Sequence, residues 1–265
     1  MSYEIFEALQ KFSWIKFVDD THTYLMDGDI KATSVTGLIK KCEPPFEEAK
    51  IAAAVARKEG RTVAEVINEW HYKRDLSVEK GKSVHSFIED YLVNKVAPYP
   101  VERIRLAMSK YSPDKDPVFD PYRKCIRHAK TFCDNIAGKM IPIGSEVVVG
   151  KRDWNLCGMI DQIFYNKKSG KLELWDWKTN KEIATTSKYS MIGPVAHLEK
   201  CELNTYSLQL GIYKRLISEE TGLEFGDSYI CWFNENEPTY KIFKCHEFKD
   251  EIEAVIQMQI AAISR

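Results

Sequence analysis

The sequence predicts an α/β layered core, a central mixed sheet flanked by helices, with a helical region placed before it. Three observations lead there. Residues 143–150, 157–165 and 171–178 (IGSEVVVG, CGMIDQIFY and KLELWDWK) are β-rich runs in succession, separated by polar turns such as 166–170. A helical pattern at 203–218 follows them, then strand patterns at 228–233 and 239–245 and a last helix at 249–263. Three consecutive strands and then a helix suggest an antiparallel meander extended by a crossover, the order αβββαβ. At 265 residues the chain can bury a proper core as one domain with a helical annex.

The earlier elements are read in chain order. Residues 14–32 alternate around Asp27-Gly28, a favoured two-residue hairpin turn. Thr33 or Ser34 is placed to cap a short helix running to Lys40, and Pro44-Pro45 ends it. From 46 to 95, IAAAVARKEG, TVAEVINEW and VHSFIEDYL carry apolar residues three and four apart, predicting two or three helices punctuated by Gly60 and Gly81. The Pro-rich, charged stretch 97–121 reads as a loop or linker, and 122–137 as a further helix. No internal repeat or low-complexity tract is present.

Composition narrows the function classes. Hydrophobic residues make up 44% and charged residues 29%, ordinary for a soluble globular protein, and no apolar run is long enough to cross a bilayer. The opening MSYEIFEALQ lacks a basic region, an apolar core and arginine, so neither a secretory nor a mitochondrial targeting signal is read there. The seven cysteines form no CxxC pair and suit a reduced, intracellular protein without zinc or an iron–sulfur cluster. A net charge of -1 does not announce a nucleic-acid binder, although Arg123, Arg127 and Lys130 share one helical face. That face is read equally well as a solvated surface. Gly81-Lys82-Ser83 imitates the end of a P-loop, but Leu76 stands where the first glycine belongs and no strand precedes it.

The chemistry centres on Asp176-Trp177-Lys178 at a strand end. Residues two apart on a strand point the same way, so the carboxylate and ammonium emerge together. The acid can ligate Mg²⁺ with hard oxygen, and the lysine can orient water or stabilise charge on an attacked phosphate. Alone such a pair is a weak signal. Asp161 adds weight, because it interrupts the apolar run GMIDQIF, where a charge is costly unless paired or metal-bound. Glu146 lies in a third strand pattern and can add an acid to the same edge or face water. His85 and Glu89 are four apart on one helical face, as are Gln209 and Tyr213. The first pair suits Mn²⁺ or Mg²⁺; the second can hold a DNA phosphate or position the lysine, or simply pack on the sheet.

In order, Gly81…His85…Glu89, Glu146, Gly158…Asp161, Asp176…Lys178 and Gln209…Tyr213 resemble the RecB-type branch of the PD-(D/E)XK nucleases. The stretch Asp176-Trp177-Lys178-Thr179 looks especially like the mitochondrial genome maintenance exonucleases and related phage nucleases, and Thr33-Ser34-Val35-Thr36 is similar to their N-terminal region. The likeness covers roughly residues 30 to 215. Ile160 stands where the superfamily's name has proline, a departure common in this branch. A single nuclease domain is expected, with an N-terminal hairpin and helical region over residues 1–75 and a nuclease core at 76–265, the helical region 34–138 that supplies His85 arching over the metal site. The resemblance implies His85, Asp161 and Asp176 as ligands of Mg²⁺ or Mn²⁺, with the Trp177 carbonyl as a further one, and Lys178 as the residue assisting water. Glu146 would be an auxiliary catalytic acid, and Gln209, Tyr213 and Glu89 would serve substrate binding or positioning. It also implies DNA as partner, with a single-strand-binding or recombination protein beside it.

The expected activity is hydrolysis of DNA from single-stranded ends. Helices arching over the site would admit a threaded strand, and Trp70, Tyr72, Phe87 and Tyr91 lie near Lys73, Arg74 and Lys82 to stack bases, unless the rings are helix-packing core. An endonuclease or a helicase-associated nuclease module is the alternative. From another class, an inactive nuclease fold acting as a DNA-binding protein remains open.

Overall fold

Two tight turns organise the N-terminal strands, where the sequence predicted one. In the computed structural model, which describes residues 2–94 and 120–264, helix α1 (Ser2–Gln10) leads into β1 (Ile15–Val18), β2 (Thr23–Met26) and β3 (Ile30–Lys31). A 3-10 turn at Asp19–Thr21 joins β1 to β2, and Asp27-Gly28 joins β2 to β3, so the three strands form a small antiparallel sheet. Ser34 caps α2 (Val35–Lys40) by accepting the Gly37 N–H at 3.0 Å. With Thr33 it also forms β4 (Thr33–Ser34), a short strand that propensity did not reveal.

Helix α3 (Glu48–Glu59) stops at Gly60, whose left-handed φ of 66° returns its N–H to the Ala56 carbonyl. Gly81 does not punctuate anything: α4 (Val63–Asn94) runs through it as one 32-residue helix. An interior glycine costs a helix about 1 kcal/mol. Burial of Val84, Phe87, Ile88 and Tyr91 on the next turns outweighs that. Most of the expected linker, 97–121, lies outside the described residues. Helix α5 (Asp120–Ile136) packs along α4.

The central sheet contains β5 (Met140–Lys151), β6 (Leu156–Asn166), β7 (Lys171–Lys178), β8 (Phe225–Trp232) and β9 (Lys241–Lys244), together with β4. Strands β5, β6 and β7 form the expected antiparallel meander. Helix α6 (Glu202–Thr221) then crosses over so that β8 lies parallel to β7, and β9 returns antiparallel; α7 (Lys249–Ile263) follows. The sheet is therefore mixed and flanked by helices.

Alternation along β7 sorts its side chains between two layers. Leu172 and Leu174 join an aliphatic cluster with Ile163, Leu208, Ile212 and Leu216 under α6. Trp175 and Trp177 point the other way, into an aromatic cluster with Phe132 of α5, Phe164 and Phe233. Phe132 meets the two tryptophans at ring-centroid distances of 5.4 and 5.3 Å. Fully burying one such side chain contributes roughly 1.5–3 kcal/mol, so both faces of the strand are pinned before any charge is placed at its end. Among the described residues, no helix is long and apolar enough to cross a membrane.

Candidate active site

A change of partner along β6 opens the site. One edge of β6 pairs with β5 for nearly its whole length. The other edge pairs with β7 from Asn166 to Gln162, where the ladder ends at Gln162↔Trp175, and with parallel β4 only at Leu156 and Cys157. Residues 158–161 thus face a gap between β4 and β7. Asp161 bridges it: its Oδ2 accepts the backbone N–H of Trp177 at 2.7 Å, a bond the ladder would otherwise supply.

Three side chains converge on that gap. His85 Nδ1 lies 3.5 Å from Glu146 Oε1 and 3.7 Å from Asp161 Oδ2, and a potential ligand atom from each residue falls within 4.8 Å of the others. One imidazole and two carboxylates make a hard, oxygen-rich set with a nitrogen donor, which could hold Mn²⁺ or Mg²⁺. His85 Nε2 sits 3.1 Å from the Trp177 carbonyl, which fixes the ring. Burial opposes charge on the imidazole, but Asp161 and Glu146 prevail and lift its pKa to about 9.

Glu146 reaches the cluster through a local distortion. Ser145 pairs with Gln162 and Val147 with Ile160, so Glu146 stands across from Asp161, yet its φ is +50° and it is out of the ladder. A left-handed glutamate inside a strand is uncommon and is found where a side chain must be re-aimed. Of the two orientations open to Glu146 in the sequence, the structure has the one toward Asp161.

Asp176 and Lys178 emerge on one side of β7, as alternation requires, and form an ion pair with each other. Asp176 is only 2% exposed and lies deeper than the His85–Glu146–Asp161 cluster. Burial raises its pKa to about 6 despite Lys178, and Asp161 adds to the rise. Burial favours a neutral Lys178 amine, yet Asp176 and Asp161 hold the ammonium charged above the usual lysine range.

Helix α6 supports this pair from below. Gln209 Nε2 donates to Asp176 Oδ1 at 3.3 Å and lies 3.2 Å from Tyr213 Oη. Both residues are buried; Gln209 reaches the acid from within the core, and Tyr213 backs Gln209. Tyr213 explains Gly158: a Cβ there would stand 2.3 Å from Tyr213 Cε1. Glu89 is exposed on α4, and burial, Glu146 and Asp90 raise its pKa.

The other candidates divide. Phe87 and Tyr91 stack on each other in the aromatic core, 5.4 Å apart, and are not presented to solvent. Trp70 is half-buried beside Phe46 at 6.2 Å, and Phe46 is 66% exposed. Arg123, Arg127 and Lys130 are all exposed, with Asp134 paired to Lys130 at 2.7 Å. Sequence reading missed Tyr206 and Asn180, which meet beside Lys178. Their signal was faint: Tyr206 is three residues before Gln209 on the same helical face, and Asn180 is two beyond Lys178.

No family model matches the chain, and neither does any curated protein. A solved structure named "putative exonuclease" from Eubacterium rectale is similar at 14% identity with a TM-score of 0.43, over 72% of this chain. The match spans 65% of that protein, less than two thirds of its length. The solved structure of SSO0001 is similar at 14% identity with a TM-score of 0.31, over 75% of this chain and 87% of that one. Likenesses at this level do not bear on function.

Proposed function

We propose that the protein is a metal-dependent nuclease that hydrolyses phosphodiester bonds in DNA, acting as an exonuclease on single-stranded ends. The observation that carries the reading is the meeting of His85, Glu146 and Asp161 beside the Asp176–Lys178 pair at a break in the sheet. Such a concentration of acids at a strand end is costly to fold, and structural packing alone gives no reason for it.

His85, Glu146 and Asp161 would hold the cation, with Asp176 and the Trp177 carbonyl adjoining them. When bound, a divalent ion supplies charge stabilisation at the attacked phosphate and a more acidic water. Lys178, charged and directed to the same side as Asp176, orients the attacking water or balances charge developing on the phosphate oxygens. Gln209, backed by Tyr213, keeps Asp176 in place. The preference for single strands rests on the Phe46–Trp70 pair, with Lys73 and Arg74 on the following turn, as a stacking surface for unpaired bases.

The test incubates linear single-stranded DNA and a covalently closed circle of the same sequence with protein and Mg²⁺ or Mn²⁺. The linear strand should disappear while the circle survives, and a chelator should stop the reaction. Equal cutting of the circle would make the protein an endonuclease, and no metal-dependent cleavage of either would end the nuclease reading.

A further inference from the structure

We propose that Tyr206 is a positioning residue for Lys178, its ring face holding the ammonium beside Asp176 and its hydroxyl anchored through Asn180. Lys178 Nζ lies 4.7 Å from the centroid of the Tyr206 ring, within the range of a cation–π contact. The ring is not free to follow the lysine. Asn180 Nδ2 donates to Tyr206 Oη at 2.6 Å. Asn180 is in turn clamped, because its carbonyl accepts from Trp232 Nε1 at 2.8 Å and from Asn234 Nδ2 at 3.0 Å. Asn234 is itself 2% exposed and also donates to the Lys181 carbonyl at 3.0 Å.

Spacing on α6 completes the arrangement. Tyr206, Gln209 and Tyr213 fall at i, i+3 and i+7, one helical face. Gln209 bonds the carboxylate of Asp176, and Tyr206 covers the ammonium of Lys178, so one face of one helix grips both ends of the ion pair. A lysine has a flexible four-carbon stem and many rotamers, and a partner that confines the ammonium selects among them. A tyrosine face confines without consuming the ammonium's hydrogen bonds, which stay available to Asp176 and to a phosphate or water in front of it. The catalytic consequence depends on the nuclease reading; the contact does not.

The experiment compares wild type with Tyr206→Leu, Tyr206→Phe and Asn180→Ala. Lys178 acylation by an amine-selective reagent is followed by mass spectrometry, alongside thermal melting. Tyr206→Leu should raise the Lys178 acylation rate about tenfold, while Tyr206→Phe, which keeps the ring but loses its anchor to Asn180, should raise it only about threefold. Asn180→Ala, which frees the ring by removing the same bond, should match the phenylalanine variant, and it decides the matter should the leucine variant not fold. In the cleavage assay Tyr206→Leu should lower kcat about tenfold with KM unchanged, and Tyr206→Phe should recover most of that loss. Unchanged Lys178 labelling in folded Tyr206→Leu and Asn180→Ala proteins would overturn the assignment. So would a phenylalanine variant as impaired as the leucine one. A wild-type protein without cleavage, but with labelling that follows the ring, sinks the nuclease reading and keeps Tyr206 as the residue that positions Lys178.

Discussion

The strands and helix α4 deliver charged residues to the same gap but hold them differently. Asp161 is bonded to a backbone N–H of the neighbouring strand, and Asp176 is 2% exposed with Gln209 and Lys178 on its carboxylate. On α4, the His85 side chain keeps 26% of its surface accessible and Glu89 is exposed. Asp161 and Asp176 are tied into the sheet and its core and cannot shift without breaking those bonds; Glu146, out of the ladder, is the exception on the strand side. The helix half rests on the sheet through packing and a few polar contacts, among them His85 to the Trp177 carbonyl and Lys80 to Glu235 at 2.8 Å. Acids fixed from the sheet side, under a helix seated by packing, would suit the proposed nuclease, whose site must keep its geometry as substrate enters.

Four experiments press on that contrast. The strongest is on the strand side. Asp161→Asn keeps an acceptor for the Trp177 N–H but removes the charge, so metal-dependent cleavage should fall at least ~10²-fold while the melting temperature holds. Asp176→Ala should lower cleavage as much but also lower the melting temperature, because it leaves the Lys178 ammonium buried without its partner, and Lys178→Ala should slow cleavage about 10²- to 10³-fold without loss of metal binding. Full activity in folded Asp161→Asn protein would remove the strand half from the chemistry.

Next come the two glycines, one from each half. At Gly158 an added Cβ collides with the Tyr213 ring, and Gly158→Ala should cost about 1–3 kcal/mol in urea melts. At Gly81 the nearest atom to such a Cβ, Thr179 Oγ1, is 3.5 Å away, an ordinary contact. Gly81→Ala should therefore be neutral or stabilise by up to about 1 kcal/mol through helix propensity. Equal losses at the two positions would mean that α4 is seated as tightly as the strands.

A smaller effect tests what docks α4. Burial disfavours a charged Glu235, but its bond to Lys80 prevails and its pKa lies below the ordinary glutamate range. A depressed folded pKa gives stability that is complete above the unfolded value, about 4.3, and is lost as pH falls through the lower folded value. Denaturation from pH 7 to 3 should show that acid-side loss, and Glu235→Gln, which keeps an acceptor for Lys80, should flatten it while lowering neutral-pH stability by up to about 1 kcal/mol. The smallest effect is expected at Glu89→Gln, less than about threefold in cleavage rate, under 1 kcal/mol of barrier. A larger loss would place Glu89 among the groups that act on substrate.

The sequence by itself determined β7 to the residue and the last helix likewise, because their alternation and periodicity are local properties of the chain. It also singled out Asp161, Asp176, Lys178 and His85, since a charge amid apolar residues and pairs at i,i+2 or i,i+4 can be read without knowing what packs on them. Tertiary structure alone decided the rest. Whether Glu146 faced water or Asp161 depended on a left-handed turn in β5 whose cost only a surrounding sheet can sustain. Whether Gly81 broke α4 depended on core contacts made far away in sequence, and the same contacts drew Phe87 and Tyr91 inward. Strand β4, two residues long, exists through its pairing with Leu156 and Cys157, more than a hundred positions on. The clamp of Asn180 and Tyr206 around Lys178 joins residues 26 apart whose types are unremarkable singly. Each of these outcomes is set by long-range contacts that no local window of sequence contains, and the gap in the sheet that gathers the acids is itself such a contact pattern.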